Sequence, residues 1–292
     1  MNHDKPSVMD RRAFLRTATA AAIGLGVAGA ASPALAARGA GGPKGRVVPR
    51  GNISVQLYSL RGILPRGDAS SIEMVMQSLF DFGYRKVEPY NDHGLGWDGL
   101  RAILDRVGLR ASSMHNGDRN PESAVAASLA LGTRFTNFPF FRTNSLDAWY
   151  ALFDDLNTVG AAMQDAGVRY GYHQHDYEFT YQPEGVSIYD RLLEATDPKL
   201  VHMQLDLYWA VAGGADPLEV FQRAPGRFLQ FHVKDRLNGT FADPGEGEID
   251  FPAIFGGHKD SGVIEYITEN DRPADPLEFA QTGYDYLRGV RF

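Results

Sequence analysis

From Asn52 onward, short runs rich in β-branched and aromatic residues alternate with longer stretches whose apolar positions recur every three to four residues. The β-type runs are Ile53–Leu60, Arg85–Tyr90, Leu109–His115, Arg134–Phe140, Arg169–His175, Val201–Trp209, Phe228–Lys234 and Val263–Glu269. The helical stretches carry their own punctuation. The one from Asp68 to Phe82 opens on a capping residue and stops at Gly83, and Ser145 to Ala166 does the same before Gly167. Asp216-Pro217 and Asp275-Pro276 each put a proline at the first helical position. Eight strands alternating with helices over about 240 residues predict parallel β/α units, closed as a (β/α)₈ TIM barrel of one domain. An open doubly wound sheet would want a glycine-rich phosphate turn after the first strand; here that turn reads Tyr58-Ser59-Leu60-Arg61-Gly62.

The chain ahead of this alternation reads as an address. Residues 10–16 are Asp-Arg-Arg-Ala-Phe-Leu-Arg, a weakly apolar alanine-rich stretch follows from Ala18, and Ala34-Leu35-Ala36 is a small-x-small cleavage signal. The paired Arg11 and Arg12 with Phe14 and Leu15 resemble the twin-arginine (Tat) motif, which implies recognition by the Tat export machinery and a periplasmic destination. A membrane anchor is the plainer alternative, and the run is short and rich in Ala and Gly for a span. The expected organisation is a signal peptide over 1–36, a flexible Gly-, Arg- and Pro-rich tether over 37–51, and the barrel over 52–292.

Composition narrows the chemistry. The 292 residues contain no cysteine, which excludes disulfides, thiolate metal sites and a cysteine nucleophile. The formal net charge is -7, and removing residues 1–36 makes it more negative, so nucleic acid is not an expected partner. The sequence leaves homo-oligomerisation open.

In a barrel of this kind chemistry gathers where strands end. The first strand carries Gln56 and Tyr58, the second Glu88, the third His115. The fifth reads Tyr172-His173-Gln174-His175, the sixth Gln204-Leu205-Asp206, the seventh His232-Val233-Lys234, and the eighth reaches Glu269 and Asp271. His173 and His175 share a strand face, as do Gln204 with Asp206 and His232 with Lys234. Histidines and carboxylates converging from several strands suggest a divalent cation. Plainer readings exist: a hydrogen-bonded structural His115, a loop carboxylate at Glu88, a Glu178 that bridges to a helix, and a Lys234 paired with Asp235 or Glu246. His93, His202 and His258 lack this context and read as structural or surface residues.

Several segments resemble the sugar phosphate isomerase/epimerase family of xylose-isomerase-like barrels, in an exported branch. They are Val55-Gln56-Leu57-Tyr58-Ser59-Leu60-Arg61, the histidine-rich Gly171–Phe179, Leu205-Asp206-Leu207-Tyr208-Trp209, Phe231-His232-Val233-Lys234-Asp235 and Gly245–Phe251. The resemblance covers about residues 52–292. It implies one divalent metal ion held by a Glu, an Asp, a His and a Glu on strands five to eight. Asp206, His232 and Glu269 match the last three, while His173 stands where the first Glu is expected. Two His and two carboxylates suit Mn²⁺ first, then Zn²⁺, Co²⁺ or Fe²⁺, with Mg²⁺ a poorer match.

These readings point to a metal-dependent sugar isomerase or epimerase, or an eliminating lyase, that abstracts a proton next to a carbonyl. His175 or Glu269 is the candidate base, Lys234 steadies the oxyanion, and Gln56, Glu88, His115 and Trp209 bind substrate. The alternatives are a non-catalytic periplasmic sugar-binding relative and a DNA-repair endonuclease. The second lacks extra His ligands in the Leu237–Pro244 loop and has the wrong charge for its substrate.

Overall fold

The computed structural model describes residues 45–257 and 262–292. The signal-peptide assignment and His258 lie outside them. Eight parallel strands are present: β1 Ile53–Gln56, β2 Lys86–Glu88, β3 in two pieces (Arg110–Ala111 and Ser113–His115), β4 Phe135–Phe138, β5 Arg169–His173, β6 Val201–Asp206, β7 Phe228–Val233 and β8 Glu265–Thr268. Each pairs with its sequence neighbours, and β8 pairs with β1. The ring comes round through Ser112, between the two pieces of β3. Its N–H donates to the Val87 carbonyl on β2, and its own carbonyl accepts from the Phe135 N–H on β4.

The main helices are α1 Ala69–Phe82, α2 Trp97–Val107, α3 Pro121–Leu131, α4 Leu146–Asp165, α5 Ile188–Ala195, α6 Pro217–Arg223, α7 Phe251–Gly256 and α8 Pro276–Gly289. Their ends follow the punctuation in the sequence. Asp68 accepts from the Ser71 N–H, Ser145 from Ala148, and Asp216 and Asp275 cap the helices that open on proline. Gly83 closes α1 at φ 115, where a side chain would be strained. Among the described residues no helix is long and apolar enough to cross a membrane.

The strands stop earlier than their β-type composition predicts, because polar side chains at their ends take over the backbone. The Gln56 side chain accepts from the Tyr58 N–H and starts a 3₁₀ turn, Leu57–Ile63. The Asp206 side chain accepts from the Trp209 N–H and starts the helix Leu207–Ala212, so β6 does not run on to Trp209. The expected tether is also corrected. Arg46 exchanges two backbone hydrogen bonds with Phe292 and Val48 is 2% exposed, so part of the 37–51 segment packs as fold.

The outward residues of the strands, among them Val55, Val87, Met114, Tyr172, Leu205 and Phe231, are buried in the apolar layer that includes the helix residues Met76, Leu104, Leu156 and Phe221. The inward residues are unusual. Barrel interiors are mostly filled by branched aliphatics, whereas here Gln56, Glu88, Asn137, Gln204, Gln230, His232 and Glu265 are all buried in the lumen. Such groups are tolerable only when hydrogen-bonded. Asn137 donates to Ser113 and Gln230, Gln230 donates to Glu265, and Glu265 also accepts from Ser112 and faces Lys86 at 3.6 Å.

Gly171 makes room for this layer. A Cβ there would stand 2.5 Å from the Asn137 side-chain oxygen and 2.6 Å from the His202 ring. Gly171→Ala is therefore expected to cost about 1–3 kcal/mol, the usual penalty for overpacking. A denaturant midpoint unchanged from the parent protein would contradict that account.

Candidate metal centre

The polar interior rises to a cluster at the C-terminal end of the strands. His173 ends β5, Asp206 ends β6, His232 lies on β7 and Glu269 follows β8. One ligand atom from each lies within 4.8 Å of all the others, and all four residues are buried. The sequence expectation named these same four, and the fold brings them together. His115, His173 and His232 form a second, overlapping group.

Asp206 divides its work. One carboxylate oxygen caps Trp209, and the other, Oδ2, is buried 2.9 Å from the Lys234 ammonium and 4.0 Å from Nε2 of His173. Gln174 holds the Asp206 backbone from both sides, donating to its carbonyl and accepting from its N–H. His232 sits between two carboxylates, with Nε2 2.6 Å from Glu88 and Nδ1 2.8 Å from Glu269. Burial opposes its charge, but those carboxylates outweigh it and raise the imidazole to about 10. Burial likewise works to raise Glu88, yet His115 and His232 bring it down to about 2. A carboxylate behind a histidine is the common orienting arrangement of metal sites: were His232 to hold an ion, Glu88 would keep the Nε2 proton and leave Nδ1 to the ion. The buried His₂AspGlu donor set fits a divalent ion of the transition series, which would compete with Lys234 for Oδ2 of Asp206.

Lys234 is the chief competitor for these carboxylates. Its ammonium lies 2.9 Å from Asp206, 2.8 Å from Glu269 and 3.1 Å from Asp271, with the Trp209 ring centroid 5.2 Å away. It does not pair with Asp235, whose carboxylate instead holds the N–H groups of Gly245, Gly247 and Ile249. Burial disfavours the Lys234 charge, but the three carboxylates raise its pKa. Glu269 is drawn well below the ordinary value by Lys234 and His232 despite burial. Asp206 is pushed up to about 6 by burial, with Lys234 only partly offsetting it. The two share one ammonium; the difference is the hydrogen bond that Glu269 alone makes with His232.

A cavity of about 360 Å³ opens over the cluster, lined by Tyr58, Tyr90, His115, Phe140, His175 and Lys234, with His173, Glu269 and Asp271. That volume accommodates a small molecule. His175 lies just past β5, with its ring 5.0 Å from His173 and 5.3 Å from Trp209. Its Nδ1 and the Trp209 Nε1 are buried without hydrogen-bond partners. Gln56 and Glu88, expected to touch substrate, are instead fully buried beneath the cluster, where Gln56 donates to Glu88 at 2.8 Å. Asp271, the aromatic rim and Gln204 were not singled out as site residues. Asp271 could have been read from its spacing two residues after Glu269. Gln204 carried a parity signal but no chemistry of its own.

A family profile for the xylose isomerase-like TIM barrel matches residues 71–289. The chain belongs to that family. Within it, inosose dehydratase of Geobacillus kaustophilus is 30% identical over 162 residues, 48% of this chain and 52% of that protein. Inosose dehydratase of Clostridium perfringens is 30% identical over 165 residues, 49% of this chain and 54% of its own. The chain thus matches about half the length of these curated relatives. A solved sugar phosphate isomerase/epimerase from Parabacteroides distasonis superposes with a TM-score of 0.68 at 27% identity, covering 82% of this chain and 94% of that one.

Glu178, read from sequence as bridging to a helix, is fully buried and accepts from the Tyr172 hydroxyl and the His175 N–H. Burial pushes its carboxyl up to about 7. The folded protein then binds more protons than the unfolded chain between pH 4.5 and 7. Stability from this group is fully present below the lower value and is lost as pH rises through the upper one, a decline of roughly 3 kcal/mol. Glu178→Gln should flatten that part of the stability–pH curve. An identical slope in the two proteins between pH 4.5 and 7 would refute the assignment.

Proposed function

We propose that the chain is a metal-dependent enzyme that abstracts a proton from the carbon next to a carbonyl in a sugar-like polyol, leading to isomerisation, epimerisation or dehydration. The observation that carries this reading is the His173, Asp206, His232 and Glu269 cluster opening into a cavity lined by a histidine with an unpartnered buried nitrogen. The similarity to inosose dehydratases and to a sugar phosphate isomerase/epimerase supports a sugar-like substrate class and the elimination branch alongside the other two.

His175 is the better base of the two candidates, because Glu269 is engaged by Lys234 and His232 while Nδ1 of His175 has no partner. Burial, aided by Lys234, holds His175 down to about 3, so it is in the accepting form throughout the neutral range. So weak a base needs an acidified carbon. A divalent ion held by the four cluster residues supplies, when bound, the Lewis acidity that makes such a C–H acidic enough. Lys234 presents its ammonium to the oxyanion that develops as the proton leaves. The proton on His175 then returns to the neighbouring carbon in isomerisation, whereas epimerisation requires a second group of the cavity to deliver a proton to the same carbon from the opposite face. In dehydration it leaves with a hydroxyl from the next carbon as water. Tyr58, Tyr90 and Phe140 offer apolar faces to the C–H surfaces of the ring.

The deciding experiment is turnover in deuterated water with Mn²⁺-loaded protein, over a panel of inososes, keto-sugars and keto-glycosides. Deuterium should appear at the carbon alpha to the carbonyl, chelator should abolish turnover, and His175→Ala should lower kcat/KM by about 10²–10⁴-fold. Full activity in chelator, or a product without solvent deuterium and without an isotope effect at that carbon, would favour hydride transfer instead. Phe140→Ala is expected to raise KM with little change in kcat, since a rim contact binds substrate and transition state alike.

We also propose that residues 1–36 direct Tat export to the periplasm, on the strength of Arg11-Arg12 and Ala34-Leu35-Ala36. Replacing both arginines by lysine keeps the charge and should leave the protein inside the cell on fractionation; normal export of that variant would refute the Tat route.

A further inference from the structure

The hydrogen bonds in the barrel lumen have a direction that can be followed from an unambiguous donor. The backbone N–H of Tyr58 donates to Oε1 of Gln56 at 3.0 Å, so the amide nitrogen of Gln56 faces Oε1 of Glu88 at 2.8 Å. Glu88 therefore receives, and its second oxygen lies 2.7 Å from one end of the Gln204 amide, which must be the nitrogen. That nitrogen also points to Oε1 of Gln230 at 3.3 Å. The orientation of Gln230 is fixed independently, because its own nitrogen donates to Glu265, the carboxylate that faces Lys86. Flipping Gln204 would set its oxygen against two acceptors.

With its nitrogen so placed, Oε1 of Gln204 faces two histidines at once, 2.7 Å from Nε2 of His115 and 3.1 Å from Nδ1 of His173. A carbonyl oxygen only accepts, and it has two lone pairs to offer. We propose that Gln204 is a positioning residue that fixes the tautomers of both histidines: a proton on Nδ1 of His173 and a proton on Nε2 of His115. His173 is thereby left with a bare Nε2, the nitrogen that lies 4.0 Å from Oδ2 of Asp206. His115 is left unable to ligate through Nε2. Gln204 thus selects the set of His173, Asp206, His232 and Glu269 over one that uses Nε2 of His115. All four hydrogen-bonding positions of the Gln204 side chain are occupied in this scheme, as a buried amide requires.

The tautomer assignment stands on the hydrogen bonds alone; its consequence for the metal rests on the function proposed above. Long-range ¹H–¹⁵N correlation of the imidazoles in purified metal-free protein, assigned with His173→Gln and His115→Gln, reads the tautomers directly. His173 should show its proton on Nδ1 and His115 on Nε2, and the opposite tautomer at His173 overturns the proposal even if no variant folds. Gln204→Met keeps the bulk and removes the acceptor. It should release both tautomers and weaken Mn²⁺ binding, measured by calorimetry, by about 10–100-fold. A folded Gln204→Met protein with unchanged tautomers and unchanged affinity overturns the proposal. If the wild type takes up no Mn²⁺, the metal reading fails while the imidazole resonances still decide this one.

Discussion

The carboxylate of Glu88, buried in the middle of the barrel, is the group on which the site depends. Its two oxygens accept from Gln56, Gln204 and His232, which lie on β1, β6 and β7, and Nε2 of His115 on β3 stands 3.4 Å away. A desolvated carboxylate is costly unless its lone pairs are met, so four strands are held in register by what it requires. Leaving His232 and Gln204 without their acceptor would cost more than the lost bonds themselves, because each donor would remain buried. The site above inherits its rigidity from this layer: Glu88 orients His232 directly.

Much of the plan was legible because it rests on local rules. The caps at Asp68, Ser145, Asp216 and Asp275 are one-residue signals, and the two-residue period put His232 with Lys234 and Gln204 with Asp206. The convergence of His173, Asp206, His232 and Glu269 follows once the barrel is assumed, since each stands at or next to the end of its own strand. The strand ends were misjudged for a related reason. Gln56 and Asp206 look like the tips of longer strands, but their side chains bond to backbone N–H groups two and three residues on and turn the chain.

The lumen was not legible. That Glu88 lies under His232 is a contact across 144 positions of sequence, set by strand register, and no local pattern encodes register between distant strands. The same holds for Gln204, which reads as an unremarkable polar residue in a β run, and for Gln230, which was not noticed. The sequence-level assumption that polar inward residues belong to substrate sent Gln56 and Glu88 to the wrong depth. Depth along a barrel strand is counted in two-residue steps: Gln204 lies one step below Asp206 on β6. Below the mouth a polar residue is there to satisfy another polar residue.

The charge balance of the mouth accounts for the departure at strand five. Asp206, Glu269 and Asp271 surround Lys234, and one ammonium cannot neutralise three carboxylates, two of them buried and the third half-buried. In the proposed ligand set a divalent ion balances Asp206 and Glu269, which leaves Lys234 to Asp271 and the mouth neutral. A glutamate at position 173, where the family resemblance expects one, would add a negative charge with no cation to meet it in this lumen. It would also put an acceptor against the carbonyl of Gln204, which already faces outward because Glu88 holds its nitrogen. Histidine meets both constraints: it is neutral, since burial and the neighbouring His232 keep its pKa well below the ordinary value, and it can donate downward to Gln204 while offering a lone pair upward. In the proposed site the residue at position 173 is thus set from beneath, by the polarity of a hydrogen-bond chain that begins at a backbone N–H of Tyr58.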